Sequence, residues 1–143
     1  MDLRPLTKDY LIGPQLAPGD MDALAADGLR LVICNRPDGE NPADLQASAM
    51  QAAAEAAGLE FVYNPVNGAA MTLDNVEEQA AALEAAEGPV VAYCASGMRS
   101  AVMWAYARAG QIDTDTILAA GKSAGFPLEG MRAQIEAMDA RGD

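Results

Sequence analysis

Apolar residues fall into two rhythms along this chain. Short, largely apolar runs occur at Tyr10–Gly13, Leu29–Asn35, Leu59–Val66, the third broken by Asn64-Pro65, and Pro89–Tyr93. Their length and Val/Ile content predict strands, with Leu29–Asn35 buried on both faces, Pro89–Tyr93 a central parallel strand, and Tyr10–Gly13, which ends in Gly-Pro, an edge strand. Between them lie longer stretches with helical character. Pro18–Ala26 has Pro18 in an early position and is closed by Gly28. A second helix is predicted from Asn41 as cap, with Pro42 at its first position, to Ala57 before Gly58. Thr72 is the predicted cap of a third, whose Leu73, Val76, Ala80 and Leu83 repeat on one face while most of its glutamates lie elsewhere. Ser100–Arg108, Asp113–Ser123 and Leu128–Asp139 complete the helices, with a frayed end expected over Ala140–Asp143.

Strands alternating with helices predict a single α/β domain over residues 1–143, with a mainly parallel sheet of four to five strands and helices on both faces. In such sheets ligands sit outside the carboxyl ends of the strands. That edge carries three predicted loops: Asn35–Glu40, Asn64–Ala70 and Cys94–Ser100.

The last of these loops carries the chemistry. A strand, a tight loop and a helix start run through Cys94-Ala95-Ser96-Gly97-Met98-Arg99-Ser100. Backbone N–H groups at such a turn converge on one point, and the helix dipole adds partial positive charge there. Gly97 permits a backbone conformation that a Cβ resists. A thiol at the mouth of this nest is favoured as thiolate, the nucleophilic form. Arg99 supplies a planar fork for two oxygens of a bound oxyanion, and Ser100 can bond the sulfur or start the helix. Ala95, Ser96, Gly97 and Met98 are expected as an anion-binding loop, Ser96 and Gly97 through their backbone amides. The other cysteine, Cys34, ends a neighbouring strand; it reads as a packed apolar residue rather than a resolving thiol.

Composition narrows the alternatives. A net charge of −12 disfavours nucleic acid and anionic membranes, and no apolar stretch is long enough to span a bilayer. Met1-Asp2-Leu3-Arg4 lacks a signal peptide's apolar run, so a cytoplasmic protein is expected. The chain has no histidine, which removes Cys–His pairs and His-based zinc sites, and neither cofactor nor metal is called for. A partner protein, if one exists, is expected to be basic.

Cys94–Ser100 resembles the signature loop shared by cysteine-dependent phosphatases and rhodanese sulfurtransferases, with the four-residue spacer of many rhodaneses. The flanking segments Tyr10-Leu11-Ile12-Gly13-Pro14-Gln15, Asn35-Arg36-Pro37-Asp38-Gly39-Glu40 and Pro65-Val66 resemble the phosphatase-like domain of the "β-lactamase hydrolase-like" proteins, often called a sulfur transferase family. The resemblance runs from about Tyr10 to Ile135. It implies a dual-specificity-like phosphatase fold, Cys94 and Arg99 as catalytic residues with Ser100 beside them, and Arg36 and Asp38 as pocket candidates.

Related phosphatases place an aspartate just after the Pro-Val strand end, where this chain has Asn67; Asp74 is the nearest substitute. Cleaving a phosphate ester calls for a proton on the departing alkoxide, whereas sulfur transfer does not. The expectation is therefore sulfur transfer from a sulfane-sulfur donor through a Cys94 persulfide. The alternatives are a phosphatase acting through a Cys94 phosphocysteine, and a non-catalytic oxyanion or persulfide sensor.

Overall fold

The structure is a computed structural model and describes residues 1–68 and 71–142. Its centre is a five-stranded sheet of β1 (Arg4–Thr7), β2 (Tyr10–Gly13), β3 (Leu31–Cys34), β4 (Glu60–Tyr63) and β5 (Val90–Tyr93), in the order β1-β2-β5-β3-β4. β2, β5, β3 and β4 run parallel, and β1 pairs antiparallel with β2. Parallel neighbours need crossover connections, and helices supply them. These are α1 (Met21–Ala26), α2 (Ala47–Ala56) and α3 (Leu73–Ala85); α4 (Met98–Arg108), α5 (Thr114–Ala124) and α6 (Arg132–Gly142) follow the last strand.

The period-2 alternation of β3 and β5 sorts their side chains into two cores. Ile33, Val90 and Ala92 pack with Trp104, Ile117 and Ile135, on the face covered by α4, α5 and α6. Val32, Val91 and Tyr93 pack with Leu24 and Met50 beneath α1 and α2. Every residue of β3 and β5 is buried, each large side chain contributing about 1.5–3 kcal/mol of transfer free energy. Those two strands are therefore the rigid base from which the loops at their carboxyl ends project.

Three expectations need correction. Tyr10–Gly13 is an interior strand, because Arg4–Thr7 forms a hairpin with it and takes the edge. Asn41-Pro42 does not start a helix: a short 3-10 turn covers Ala43–Leu45, and α2 begins at Ala47 after an extended Gln46. The Asp38 carboxylate takes the Ala47 N–H at 2.7 Å, so the cap comes from nine residues upstream. The last helix continues through Gly142 rather than ending near Asp139. Thr72 caps α3 as expected, accepting from the Asn75 amide at 3.1 Å, and Asp113 caps α5. Among the described residues no helix is long and apolar enough to cross a membrane.

Candidate active site

Four parallel strands deliver four loops to one edge of the sheet. Those after β3, β4 and β5 are the expected ones, with Ala69 and Ala70 of the second lying outside the described residues. The fourth follows β2, where the Gln15 N–H bonds the Ala95 carbonyl at 3.3 Å.

Cys94 leaves β5 fully buried but for 1% of its surface, and its sulfur accepts the Gly97 N–H at 3.1 Å. Gly97 sits at φ +105°, and a Cβ there would come within 2.8 Å of Phe126 and 2.9 Å of Ile12. Conformation and space both demand glycine at this one position of the loop. The α4 ladder begins with Ala101 N–H to Gly97 C=O, so the amides of the preceding first turn lack an intrahelical acceptor. Met98, placed in the loop by its sequence, is the first residue of that helix, and its N–H reaches Ser96 Oγ at 3.4 Å. Ala95 and Ser96 are exposed at the mouth.

Arg99 is held on two sides. Its Nη1 and Nη2 grip both Glu40 carboxylate oxygens at 2.9 and 2.8 Å, and Nη1 also donates to the Val66 carbonyl at 2.8 Å. A guanidinium has five N–H bonds in fixed directions, and three are spent here. The remaining two, on Nε and Nη2, form the side-on edge of the fork, the pair that matches two oxygens of an oxyanion. Glu40 raises the Arg99 pKa, with the Cys94 sulfur a further cause. The hydrogen bonds from Arg99, reinforced by the charges of Arg99 and Arg36, hold the Glu40 carboxyl below its ordinary value. Glu40 is thus an anchor and not a store of protons.

Arg36 stands behind this pair. It donates to Glu40 Oε1 at 3.3 Å, to the Glu40 carbonyl at 3.2 Å and to Gln15 Oε1 at 3.2 Å, and Gln15 also accepts from Asn41 at 3.0 Å. Its role is to hold the loop that presents Glu40. Asp38, the other pocket candidate, spends a carboxylate oxygen on α2 and belongs to the framework. Asn67 is exposed next to Val66, whose carbonyl holds Arg99, and Asp74 is exposed in the first turn of α3.

Ser100 does something other than bond the sulfur. It is fully buried, and its hydroxyl donates to Asn35 Oδ1 at 2.9 Å. The direction is fixed by Asn35, whose Nδ2 must face the Asn64 carbonyl at 2.9 Å and so leaves Oδ1 for Ser100. Gln79 of α3 is the hub: its Nε2 donates to Tyr10 Oη and Asn35 Oδ1, and its Oε1 accepts from Asn35 and Asn64. Tyr10 Oη in turn donates to the Ser100 carbonyl at 3.2 Å, and burial pushes its pKa up. This uncharged network ties β2, β3, β4, α3 and α4 together directly beneath the loop. The Ser100 hydroxyl is therefore committed to this network and not to the Cys94 sulfur.

Cys34 fits the packed reading. It is 2% exposed, its thiol donates to the Arg36 carbonyl at 3.3 Å, and burial raises its pKa. The neighbouring Tyr93 hydroxyl faces that sulfur without a well-formed hydrogen bond, and its pKa is likewise raised by burial. Both cysteines are free thiols. Among the described residues no cluster of Cys, Asp and Glu is placed to hold a metal. A cleft of about 560 Å³ opens at the opposite end of the strands, lined by Lys8, Trp104 and Arg108, and Cys94 lies outside it. A nest for a small anion needs converging amides rather than volume.

Glu40, which the sequence offers either as a site residue or as part of a polar turn held by Pro37 and Gly39, belongs to the site, and Gln15 and Gln79 complete it. Gln79 had a legible signal: it lies three residues after Val76 and four before Leu83, a polar side chain on the apolar face of α3.

Comparison with known proteins places the architecture. Residues 2–111 match the family model for the beta-lactamase hydrolase-like protein, phosphatase-like domain. A beta-lactamase hydrolase-like protein of Agrobacterium fabrum is 34% identical over 111 residues, which is 76% of this chain and 26% of that protein. The chain thus spans about a quarter of the length of the curated relatives it matches. A crystal structure of a candidate phosphatase from Neisseria meningitidis superposes with a TM-score of 0.82 at 31% identity, covering 96% of this chain and 99% of that one. PTPMT1 shares the fold at a TM-score of 0.72 and 20% identity, covering 98% of each chain. The cysteine-dependent phosphatase fold is therefore shared, and this chain belongs to the family of the beta-lactamase hydrolase-like protein, phosphatase-like domain.

Proposed function

We propose that this chain is a phosphatase in which Cys94 attacks phosphorus and carries the phosphoryl group as a phosphocysteine. The observation that carries this reading is Arg99, whose end-on edge is fixed by Glu40 and whose side-on edge is left for an oxyanion beside the Cys94 sulfur. Charge building on the equatorial oxygens of a transferring phosphoryl group is met by preorganised donors, here Arg99 and the first-turn amides of α4. The phosphatase-like family and the shared fold favour this reading over the sulfur transfer expected from the sequence.

Sulfur transfer remains the second reading. Two features favour it: the four-residue spacer and an asparagine, Asn67, at the position where an acid is needed to release an alkoxide. One experiment separates them. Wild type and Cys94→Ser are each incubated with an aryl phosphate and, separately, with thiosulfate, followed by phosphate assay and intact mass. The phosphatase reading expects phosphate release and a transient phosphoryl adduct, both lost in Cys94→Ser. A single added sulfur on wild type, removable by cyanide and without phosphate release, would transfer the assignment to a persulfide enzyme. Anion binding without turnover of either kind would leave a sensor.

A further inference from the structure

Among the described residues, the side chains gathered around the Cys94 loop offer no free acid to a leaving group; Asp44, on the same connection as Glu40, is exposed in a 3-10 turn. From the β3 loop, Glu40 is kept ionised by two arginines and Asp38 caps α2. The β2 loop contributes Gln15, an amide. The connection from Asn64 to Thr72, Asn-Pro-Val-Asn-Gly-Ala-Ala-Met-Thr, contains no ionisable side chain in its sequence. Ser100 gives its only hydroxyl proton to Asn35, and Tyr10 gives its own to the Ser100 carbonyl. The Tyr63 hydroxyl lies beside Asp38, with its pKa raised by burial. Asp74 is exposed in the first turn of α3, at a position that helix N-termini favour for acids on structural grounds.

We infer that this site selects phosphoryl groups by their leaving group. It acts on those whose oxygen departs as an already stabilised anion: acyl phosphates, phosphoanhydrides and the phosphates of acidic phenols. Alkyl phosphates are poor substrates, and Asn67 is the position that determines this. The inference rests on the phosphatase reading. In the first step a bond forms between Cys94 Sγ and phosphorus as the P–O bond breaks, and the electron pair leaves on the oxygen with no proton. In the second, water adds to phosphorus as the S–P bond breaks, the thiolate returns, and both water protons depart with the dihydrogen phosphate product. No redox partner is needed. Placed general acids are worth about 10²–10⁴ in rate, so their absence falls on the basic leaving groups.

The test is a substrate series: aryl phosphates of graded phenol acidity, acetyl phosphate and glycerol phosphate, compared by kcat/KM in wild type, Asn67→Asp and Asp74→Asn. Wild type should decline steeply as the leaving group becomes more basic, with glycerol phosphate about 10²–10⁴-fold below the most acidic phenol. Asp74→Asn should match wild type across the series. Asn67→Asp should narrow the spread by gaining rate on glycerol phosphate, and should add a fall in rate at high pH as the new acid ionises. A flat series in wild type, or a loss confined to basic leaving groups in Asp74→Asn, overturns the inference while the phosphatase reading stands. If no member is hydrolysed and no phosphoryl adduct forms on Cys94, both fall. Should Asn67→Asp not fold, the wild-type slope still decides.

Discussion

Two polar regions flank the Cys94 loop, and they are built on opposite principles. Behind it lie Tyr10, Asn35, Asn64, Gln79 and Ser100, all buried and linked by hydrogen bonds between neutral groups. In front lie Gln15, Arg36, Glu40 and Arg99, charged for the most part and partly open to water. A buried amide is tolerable when every donor and acceptor is satisfied, and its fixed directions then specify one arrangement. Charges buried in the same place would meet a desolvation penalty of several kcal/mol each. Framework is therefore neutral and dry, while binding charge stays at the rim where an anion can replace water.

The largest expected effect comes from breaking the rear region. Gln79→Leu keeps the volume of the side chain but strands Asn35, Asn64 and Tyr10 without their shared partner. Unsatisfied buried groups cost about 1–3 kcal/mol each, so a stability loss of about 2–5 kcal/mol is expected by urea denaturation. A loss below about 1 kcal/mol would show that the network relaxes and does not organise the loop. Breaking the front region should do the reverse. Arg99→Lys keeps the charge and loses the fork, so stability should shift little while phosphate or vanadate affinity falls roughly ten- to hundredfold. Unchanged anion affinity would remove Arg99 from the clamp.

The same contrast explains what could be read in advance. The strand, loop and helix from Pro89 to Arg108 are determined by neighbours in sequence, and they appear in the expected order, the helix starting two residues early at Met98. β1 did not announce itself because Arg4-Pro5-Leu6-Thr7 buries only Leu6. Asn41-Pro42 has the form of a helix start, but Asp38 competes for the Ala47 amide and wins, which no local rule records. Leu73, read as part of the core stripe of α3, is 38% exposed, while Gln79 lies buried within that stripe. In the front region, Glu40 meets Arg99 across 59 residues. Spacing along the chain could not choose among Asp38, Glu40 and Asp74 as the carboxylate near the arginine. Only the convergence of loops from adjacent parallel strands does so.

Titration should separate the two regions with the smallest effect of all. Glu40 has a folded-state pKa depressed from its ordinary 4.5, so its contribution to stability is fully present above 4.5 and is lost as pH falls through the lower folded value. Its side chain is 38% exposed, and water screens the pair, so the difference between wild type and Glu40→Gln at neutral pH should be no more than about 1 kcal/mol. The two stability curves should run apart above pH 4.5 and converge below it. Anion affinity of wild type should weaken over the same acidic range, as Arg99 loses its anchor. The Gln79→Leu deficit should not follow this dependence, because none of the amides it strands titrates. Parallel wild-type and Glu40→Gln curves throughout would mean that the carboxylate positions Arg99 by shape alone, and that charge in the front region serves the anion and not the fold.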